Sequence, residues 1–256
     1  MRIAAVVLGA FLGAGSAPRQ ERIALFNGKD LSNFYTYLHA KPGGGEPLGK
    51  NNDPLGVFTV RDGVIRVSGE VFGYLSTEKE FENYKLIVEY RWGEKTYPPR
   101  ETRARDSGIL FHVQGEDKIW PCSLEFQIIE GGTGDLLLVG GASMEFDPAL
   151  EPRFAGKGML SPDGKRIVKG RVNRPGRSRQ WKDVLGFRDA GDLEKPRGEW
   201  NRLELRCRNG TFSYVVNGAV VLEGRGAFPS KGRILLQSEG AEIFFRKVDL
   251  VRIPGD

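Results

Sequence analysis

Tight two-residue turns between short alternating segments are the feature that most constrains the fold of this chain. Asn209-Gly210 and Asn217-Gly218 lie close together and separate three runs rich in β-branched and aromatic residues. Asp62-Gly63 separates two earlier runs of the same kind. Asn-Gly and Asp-Gly readily adopt the backbone conformations that tight antiparallel hairpins require. The late turns therefore predict a three-stranded meander, and the early turn predicts a hairpin.

Period-2 alternation recurs along the chain, and long helical periodicity does not. Strand signals at this spacing predict an all-β fold, a sandwich of two antiparallel sheets. No linker or internal repeat divides the sequence, so residues 18–256 are predicted to form one domain. Residues 39–56 and 136–200 break the strand rhythm and are rich in Gly, Pro and charge. Loops of this length are commonly functional and are expected near a groove.

The N-terminal residues have the form of an export signal. Arg2 precedes an apolar run from Ile3 to Leu12, and small residues continue to Ala17. The run is shorter than the roughly 20 residues that a membrane-spanning helix needs. The sequence predicts a signal peptide over 1–17, cleavage before Pro18, and a secreted or periplasmic protein whose mature chain has no stable membrane insertion. A buried N-terminal helix is the alternative.

The net charge of +5 does not indicate a nucleic-acid-binding protein, because the excess comes mainly from residues 165–182. Gly and Pro interrupt this stretch, so it is expected to be a loop. Such a loop is either solvated or forms a charged rim that attracts a polar substrate.

Cofactor signals are absent from the sequence. No Cys/His cluster has the spacing of a zinc site, and no Gly-rich phosphate loop joins a strand to a helix. No cofactor is therefore expected, and a Ca²⁺ ion held by loop carboxylates stays open as an alternative. Cys122 and Cys207 are expected to be unpaired thiols in strands, although export would permit a disulfide.

The stretch from Trp120 to Asp135, WPCSLEFQIIEGGTGD, carries the strongest candidate site. Its centre alternates as a strand does, so Glu125 and Gln127 share one face. Phe126 and Ile128 point to the other face. Two polar side chains together suit the floor of a groove that binds a sugar, and a solvated strand face is the alternative.

Several further segments, in a fixed order, resemble one protein family. They are residues 25–31, 73–77, 81–86, 106–110, 120–135, 200–201, 236–240 and 245–246. Together they are similar to the 3-keto-disaccharide hydrolase family of exported bacterial proteins. The sequence departs from the family pattern at Asp106, where Asn is usual, and at His112, where many members carry Arg.

The resemblance implies a jelly roll of the concanavalin A-like lectin/glucanase type, with a ligand groove on the concave face. It also implies action on glycosides already oxidised to a ketone at sugar carbon 3. Such a ketone makes the proton on carbon 2 acidic, so a base can remove it and the aglycone can leave by β-elimination. This path needs a base, a stabiliser for the enolate oxygen and an acid for the leaving group.

Glu125 and His112 are the predicted proton-transfer residues. Each also fits a structural role, Glu125 as a hydrogen-bond acceptor and His112 as a satisfied sheet histidine. The predicted substrate-binding residues are polar, aromatic or cationic side chains expected to reach the groove. They are Gln127, Trp120, Asp135, Arg91, Tyr74, Glu239 and Arg246.

Two rival functions remain at this point, and a carbohydrate is the expected partner in each of them. One is a non-catalytic carbohydrate-binding module. The other is a direct β-glucanase-type hydrolase, since Glu125 and Glu130 have the spacing of the two catalytic glutamates in those enzymes. A retaining mechanism requires carboxyls about 5–5.5 Å apart, and these two residues would need a bulge to share a face. The sugar, the linkage and the oligomeric state stay open.

Overall fold

A computed structural model describes residues 21–40, 44–149 and 154–255. The predicted signal peptide, residues 1–17, and the predicted cleavage site before Pro18 lie outside the described residues. Within the described part of the chain, no helix has the length and apolar character needed to cross a bilayer.

The described residues form eighteen strands. They are β1 (Arg22–Ala24), β2 (Phe34–Leu38), β3 (Gly49–Lys50), β4 (Phe58–Arg61), β5 (Val64–Val67), β6 (Gly73–Thr77), β7 (Tyr84–Thr96), β8 (Asp106–Gln114), β9 (Cys122–Ile129), β10 (Leu136–Val139), β11 (Met144–Glu145), β12 (Phe154–Leu160), β13 (Arg166–Val172), β14 (Asn201–Arg208), β15 (Thr211–Val216), β16 (Ala219–Gly224), β17 (Arg233–Ser238) and β18 (Ala241–Arg252).

The strands build two antiparallel sheets. An eight-stranded sheet has the order β16-β15-β14-β7-β18-β5-β4, with β1 paired to β18. A ten-stranded sheet has the order β11-β13-β10-β9-β8-β17-β6-β2-β3, with β12 paired to β13. The predicted all-β jelly-roll sandwich is confirmed.

The core lies between the two sheets and follows the period-2 alternation of the sequence. On β9, Phe126 and Ile128 are fully buried in this core. The ring of Phe126 stacks on Tyr214 of β15, with centroids 4.1 Å apart and planes nearly parallel. A ring pair of this kind contributes about 0.5–1.5 kcal/mol beyond its buried area. Because Phe126 points inward, Glu125 and Gln127 point to the outer face of the ten-stranded sheet.

The predicted turns are confirmed. Both residues of Asp62-Gly63, Asn209-Gly210 and Asn217-Gly218 have positive φ, as two-residue hairpins with the twist of the flanking strands require. The late pair joins β14, β15 and β16 into the predicted meander. Cys122 and Cys207 are unpaired, in agreement with the expectation.

The prediction that residues 136–200 lack regular strands is wrong for the first part of this region. Residues 136–172 contain the strands from β10 to β13, which extend the ten-stranded sheet beyond β9. The pairing of β12 with β13 is interrupted by register shifts, and β11 has only two residues, so the alternation is short and broken in the sequence. Residues 173–200 contain no strand, as expected. We call them the 173–200 segment.

Candidate active-site groove

The strand register brings polar side chains together in the middle of the outer face of the ten-stranded sheet. Gly108 of β8 is paired with Gln127 of β9, and the register of β17 places Gln237 on the other side of Gly108. A Cβ atom at Gly108 would lie 2.5 Å from Gln237 Oε1 and 2.6 Å from Glu125 Oε1. The missing side chain at this position therefore allows the carboxyl of Glu125 and the amide of Gln237 to converge.

The Glu125 carboxyl is buried and has no partner. The residue is 4% exposed, and within the described chain no hydrogen bond or ion pair holds its carboxyl oxygens. Burial raises the pKa of Glu125 to about 8, the negative charge of Asp106 adds to this effect, and Arg171 opposes it. Gln237 Oε1 is also buried without a hydrogen-bond partner. An unpaired carboxyl and an unpaired amide oxygen side by side favour a ligand site.

Asp106 of β8, next to Glu125, is a carboxylate held by an ion pair and a hydrogen bond. It forms an ion pair with Arg100 and accepts a hydrogen bond from Gln127 Nε2. Gln127 Nε2 also donates to the carbonyl of Ser107 at 3.1 Å. Burial raises the pKa of Asp106, against the lowering effect of Arg100 and Arg171. Gln127 therefore acts in this structure as a positioning residue for Asp106.

Glu239 follows β17 and adds a third carboxyl to the cluster. Its Oε1 lies 3.8 Å from Arg100 Nη2, and 19% of its side chain is exposed. Burial, together with the negative charges of Asp106 and Glu125, raises the pKa of Glu239 well above its ordinary value. The site therefore holds two carboxyls, Glu125 and Glu239, whose pKa values are both raised by burial.

Arginines from and after β13 close one side of the groove. Arg171 is in the same register row as Glu125, with Leu137 of β10 between them. Its Nη2 atom lies 2.7 Å from Asp135 Oδ2, and Arg177 pairs with the same carboxylate oxygen. Asp135 is completely buried and its other oxygen accepts the backbone N–H of Arg174 at 2.8 Å. Because Asp135 is fully occupied, it orders these arginines and is not a free substrate ligand.

The 173–200 segment is tied by polar contacts to the loop before β8 and to the residue after β9. Asp183 accepts hydrogen bonds from Arg103 Nε at 2.8 Å and from Arg100 Nη1 at 3.2 Å. Trp181 Nε1 donates to the carbonyl of Glu130 at 3.0 Å, and its ring lies 4.1 Å from the Arg177 guanidinium. The segment therefore holds Trp181 and Arg177 at the edge of the groove, and Arg177 covers one face of the indole ring.

The opposite side of the groove is aromatic. Tyr37 and Tyr74 are stacked with ring centroids 5.2 Å apart, and Trp120 packs against the same cluster. Asp117 accepts hydrogen bonds from Tyr35 Oη at 2.7 Å and from Tyr74 Oη at 2.9 Å. Tyr74 is fully buried, so it supports this cluster and does not offer an open ring face, in contrast to the prediction. Trp120 is half-buried and remains a candidate platform.

Comparison with known proteins identifies the family. The model of one family, described as a 3-keto-alpha-glucoside-1,2-lyase-like domain, matches residues 21–251. The chain belongs to the 3-keto-disaccharide hydrolase family. No curated protein matches the sequence significantly.

Two solved structures from Parabacteroides distasonis, both provisionally described as glycosyl hydrolases, resemble this family member. The first is 20% identical with a TM-score of 0.53, and the match covers 91% of this chain and 94% of that chain. The second is 18% identical with a TM-score of 0.51, and the match covers 91% and 100%. At these identities the similarity establishes the fold.

His112 does not lie in the groove, which corrects the prediction that it transfers a proton. Its φ angle is +55°, and the pairing of β8 with β9 shifts register between Phe111 and Gln114. This bulge turns the ring into the core, where it packs edge-on against Tyr84 at 5.8 Å. His112 is 1% exposed, its Nδ1 is 3.1 Å from the carbonyl of Pro229, and burial lowers its pKa to about 4.

Arg91 and Arg246 also lie away from the groove. They belong to β7 and β18 in the eight-stranded sheet and project from its outer face. Both guanidinium groups lie over the Trp200 ring, at 4.9 Å and 4.5 Å, and Arg246 Nε donates to Glu89 at 2.6 Å. Alternation with apolar neighbours was the basis for predicting that these arginines reach the groove, but alternation does not indicate which sheet carries a residue.

Glu130 is not available as a second glucanase-type carboxyl. It follows the end of β9, pairs with Arg105 at 2.8 Å and accepts the backbone N–H of Gly186 at 2.9 Å. The Glu125 carboxyl is therefore unpaired, whereas the Glu130 carboxyl is already occupied by protein partners.

Four of the predicted site residues lie together on the outer face of the ten-stranded sheet, namely Glu125, Gln127, Glu239 and Trp120. The sequence analysis did not assign site roles to the groups that surround them. The missed residues are Arg100, Asp106, Gly108, Arg171, Arg177 and Gln237. Arg171 and Arg177 lie in the basic stretch for which a charged rim was one prediction, and the structure agrees with that alternative for these two residues. Among the described residues, no group of His, Cys, Asp and Glu side chains is arranged to hold a metal ion.

Proposed function

We propose that this family member is an exported enzyme that cleaves 3-keto-glycosides, beginning with proton abstraction at sugar carbon 2. The observation that carries the proposal is the unpaired Glu125 carboxyl above Gly108, beside the free oxygen of Gln237. A buried carboxyl with a raised pKa and no partner is typical of proton-transfer groups. The family supports the substrate class, since its domain is named after a lyase that acts across carbons 1 and 2 of a 3-keto-glucoside.

The proposed reaction has two stages. The base takes the carbon 2 proton, and the C–H electron pair forms an enolate with the carbon 3 oxygen. The enolate then returns to the ketone, a double bond forms between carbons 1 and 2, and the bond from carbon 1 to the aglycone oxygen breaks as that oxygen gains a proton. Water adds to carbon 1 of the enone and carbon 2 regains a proton, which yields a 3-keto sugar and the free aglycone alcohol.

The groove offers a group for each role. Ionised Glu125 is the base, and its raised pKa makes it a stronger base than an ordinary carboxylate. Arg171, within electrostatic reach of Glu125 and Asp106, is the cation for the developing enolate oxygen. Glu239, whose pKa is raised well above its ordinary value by burial, serves as the acid for the leaving oxygen. This assignment replaces His112.

The proposal predicts a defined pH dependence. Since only ionised Glu125 can act as the base, kcat/KM rises with pH up to about 8. An ordinary glutamate base would give a plateau from about pH 5 upward.

The test is to incubate the purified protein with several disaccharides and with their 3-keto forms, in D₂O. We expect cleavage of the 3-keto forms and deuterium at carbon 2 of the released sugar, after subtraction of background exchange. Glu125→Gln keeps the shape of the side chain and removes the base, so turnover falls by about 10²–10⁴-fold. Glu116→Gln, which removes an exposed carboxylate from the loop after β8, is the matched control and retains full activity.

The same experiment separates the rival functions. A carbohydrate-binding module would bind sugars and leave both forms of every disaccharide intact. A direct hydrolase would cleave the plain disaccharides and leave carbon 2 unlabelled. Full activity of Glu125→Gln together with an unlabelled product would reject both the base and the elimination path.

A further inference from the structure

Two guanidinium groups share one buried carboxylate at the cationic side of the groove. Arg171 and Arg177 both contact Asp135 Oδ2, and within the described chain no other carboxylate forms an ion pair with either arginine. Arg171 Nη2 is buried, and although it lies 2.7 Å from Asp135 it makes no aligned hydrogen bond. The pair therefore carries one unbalanced positive charge and has hydrogen-bond donors that the protein does not use.

These arginines line a cleft that is open to ligand. Its volume is about 200 Å³, and its walls include Asn173, Ser178, Arg179 and Trp181 besides the two guanidinium groups. Arg179 is exposed and adds a positive charge at the rim that no carboxylate among the described residues pairs with. The neutral walls are hydroxyl, amide and indole groups, which are typical of saccharide contacts.

The carboxyls of the groove do not cancel this charge. Asp106 is paired with Arg100, and Asp183 is paired with both Arg100 and Arg103, so two cations balance these two carboxylates. Burial raises the pKa of Glu125 to about 8, which favours its neutral form near pH 7, and it also raises the pKa of Glu239. The cationic cleft therefore remains attractive to an anion beside a nearly neutral reaction centre.

We propose that the Arg177 and Arg179 side of this cleft binds an oxyanion carried by the substrate, a carboxylate or a sulfate ester, so that the preferred substrates are acidic glycosides. Arg171 keeps its role at the enolate oxygen. Arg171 is separated from Glu125 by one intervening strand, and two strand spacings correspond to about 10 Å. The anion would therefore lie on the sugar under attack or on its immediate neighbour. The claim about preferred substrates rests on the proposed function. Binding of the anion can be measured independently of catalysis.

The experiment is calorimetric titration of the whole protein with three unoxidised probes. They are a glucosyl disaccharide, its glucuronosyl counterpart with a carboxylate at carbon 6, and its 6-O-sulfated counterpart. We expect at least one anionic probe to bind about tenfold or more tightly than the neutral one at low salt, since charge-assisted hydrogen bonds to arginine are strong. The preference should shrink as the ionic strength rises.

Variants locate the effect. Arg177→Gln should reduce the anion preference to less than about threefold, and Arg179→Gln should reduce it by a smaller factor without affecting buried contacts. Arg61→Gln removes the same charge from an exposed position on the eight-stranded sheet and should leave the preference unchanged. If Arg177→Gln does not fold, Arg179→Gln carries the test alone.

Equal affinity for the three probes, including failure of all three to bind, overturns the inference. So does an anion preference that survives both Arg177→Gln and Arg179→Gln. Cleavage of neutral 3-keto-disaccharides without any anion preference would reject this inference and leave the proposed function standing. Anion preference without cleavage of any 3-keto substrate would reject the proposed function and leave the anion cleft standing.

Discussion

Glu125→Gln should make the protein more stable at alkaline pH, although it removes the proposed base. An ordinary glutamate titrates near 4.5, and Glu125 titrates at about 8 because its carboxyl is buried without a partner. Each pKa unit corresponds to about 1.4 kcal/mol. Ionising Glu125 therefore costs the folded state up to about 5 kcal/mol relative to the unfolded chain.

The direction of the effect follows from proton binding. Between about pH 4.5 and 8 the unfolded chain loses this proton while the folded protein keeps it. The unfolded state then binds fewer protons, so the free energy of unfolding falls as pH rises through this window. Gln at position 125 does not titrate. The wild-type protein and Glu125→Gln should have similar stabilities at pH 5, and at pH 9 the variant should be more stable by about 3–5 kcal/mol.

Urea unfolding at pH values from 5 to 9, followed by fluorescence, measures this difference. Glu116→Gln, at an exposed site, should give a curve parallel to that of the wild-type protein. The other groove carboxyls titrate in both proteins, so the comparison reports the contribution of Glu125 together with its electrostatic coupling to Asp106 and Glu239. A stability difference that stays constant from pH 5 to pH 9 would refute the assignment of Glu125 as a buried, unpaired carboxyl.

Three further substitutions test the site. Gly108→Ala should lower kcat/KM at least tenfold with little loss of secondary structure. The reason is that the alanine Cβ would lie 2.5 Å from Gln237 Oε1 and 2.6 Å from Glu125 Oε1. Wild-type kinetics in this variant would show that the two side chains do not need to converge. His112→Asn should lower the free energy of unfolding by about 1–3 kcal/mol and leave the pH profile of kcat unchanged. Asn is chosen because it tolerates the positive φ at this position. A shifted pH profile would show that His112 takes part in proton transfer. Arg171→Gln should lower kcat by about 10²–10³-fold with a smaller change in KM, as measured by steady-state kinetics; an effect on KM alone would make Arg171 a binding residue.

The sequence was most informative where the periodicity of a single strand decides which face a side chain lies on. Glu125 and Gln127 share a face because side chains two residues apart always do so in a regular strand, and β9 is regular. The two-residue turns could also be predicted from neighbouring residues alone, because Asn-Gly favours the positive φ found at Asn209-Gly210 and Asn217-Gly218.

Prediction failed where one residue breaks the register or where a contact joins distant parts of the chain. At His112 a bulge reverses the face, and alternation cannot reveal a bulge without a glycine to mark it. Arg100, Arg171 and Arg177 reach the groove from a loop, from β13 and from the 173–200 segment. Each pairs with a carboxylate far away in sequence, Arg100 with Asp183 and the other two with Asp135. Charge alone does not identify such partners.

The strand that carries Glu125 is also held from behind by the opposite sheet. Tyr214 Oη donates a hydrogen bond to the Glu125 carbonyl at 3.1 Å, and the Tyr214 ring stacks on Phe126, the next residue along β9. Sites on mobile loops often lose activity well below the melting temperature, because loops open locally before the whole protein does. Here the backbone that carries the proposed base cannot move without disturbing the ring stack at the centre of the sandwich. Heat should therefore abolish turnover and tertiary structure in a single transition, with no separate loss of activity at lower temperatures.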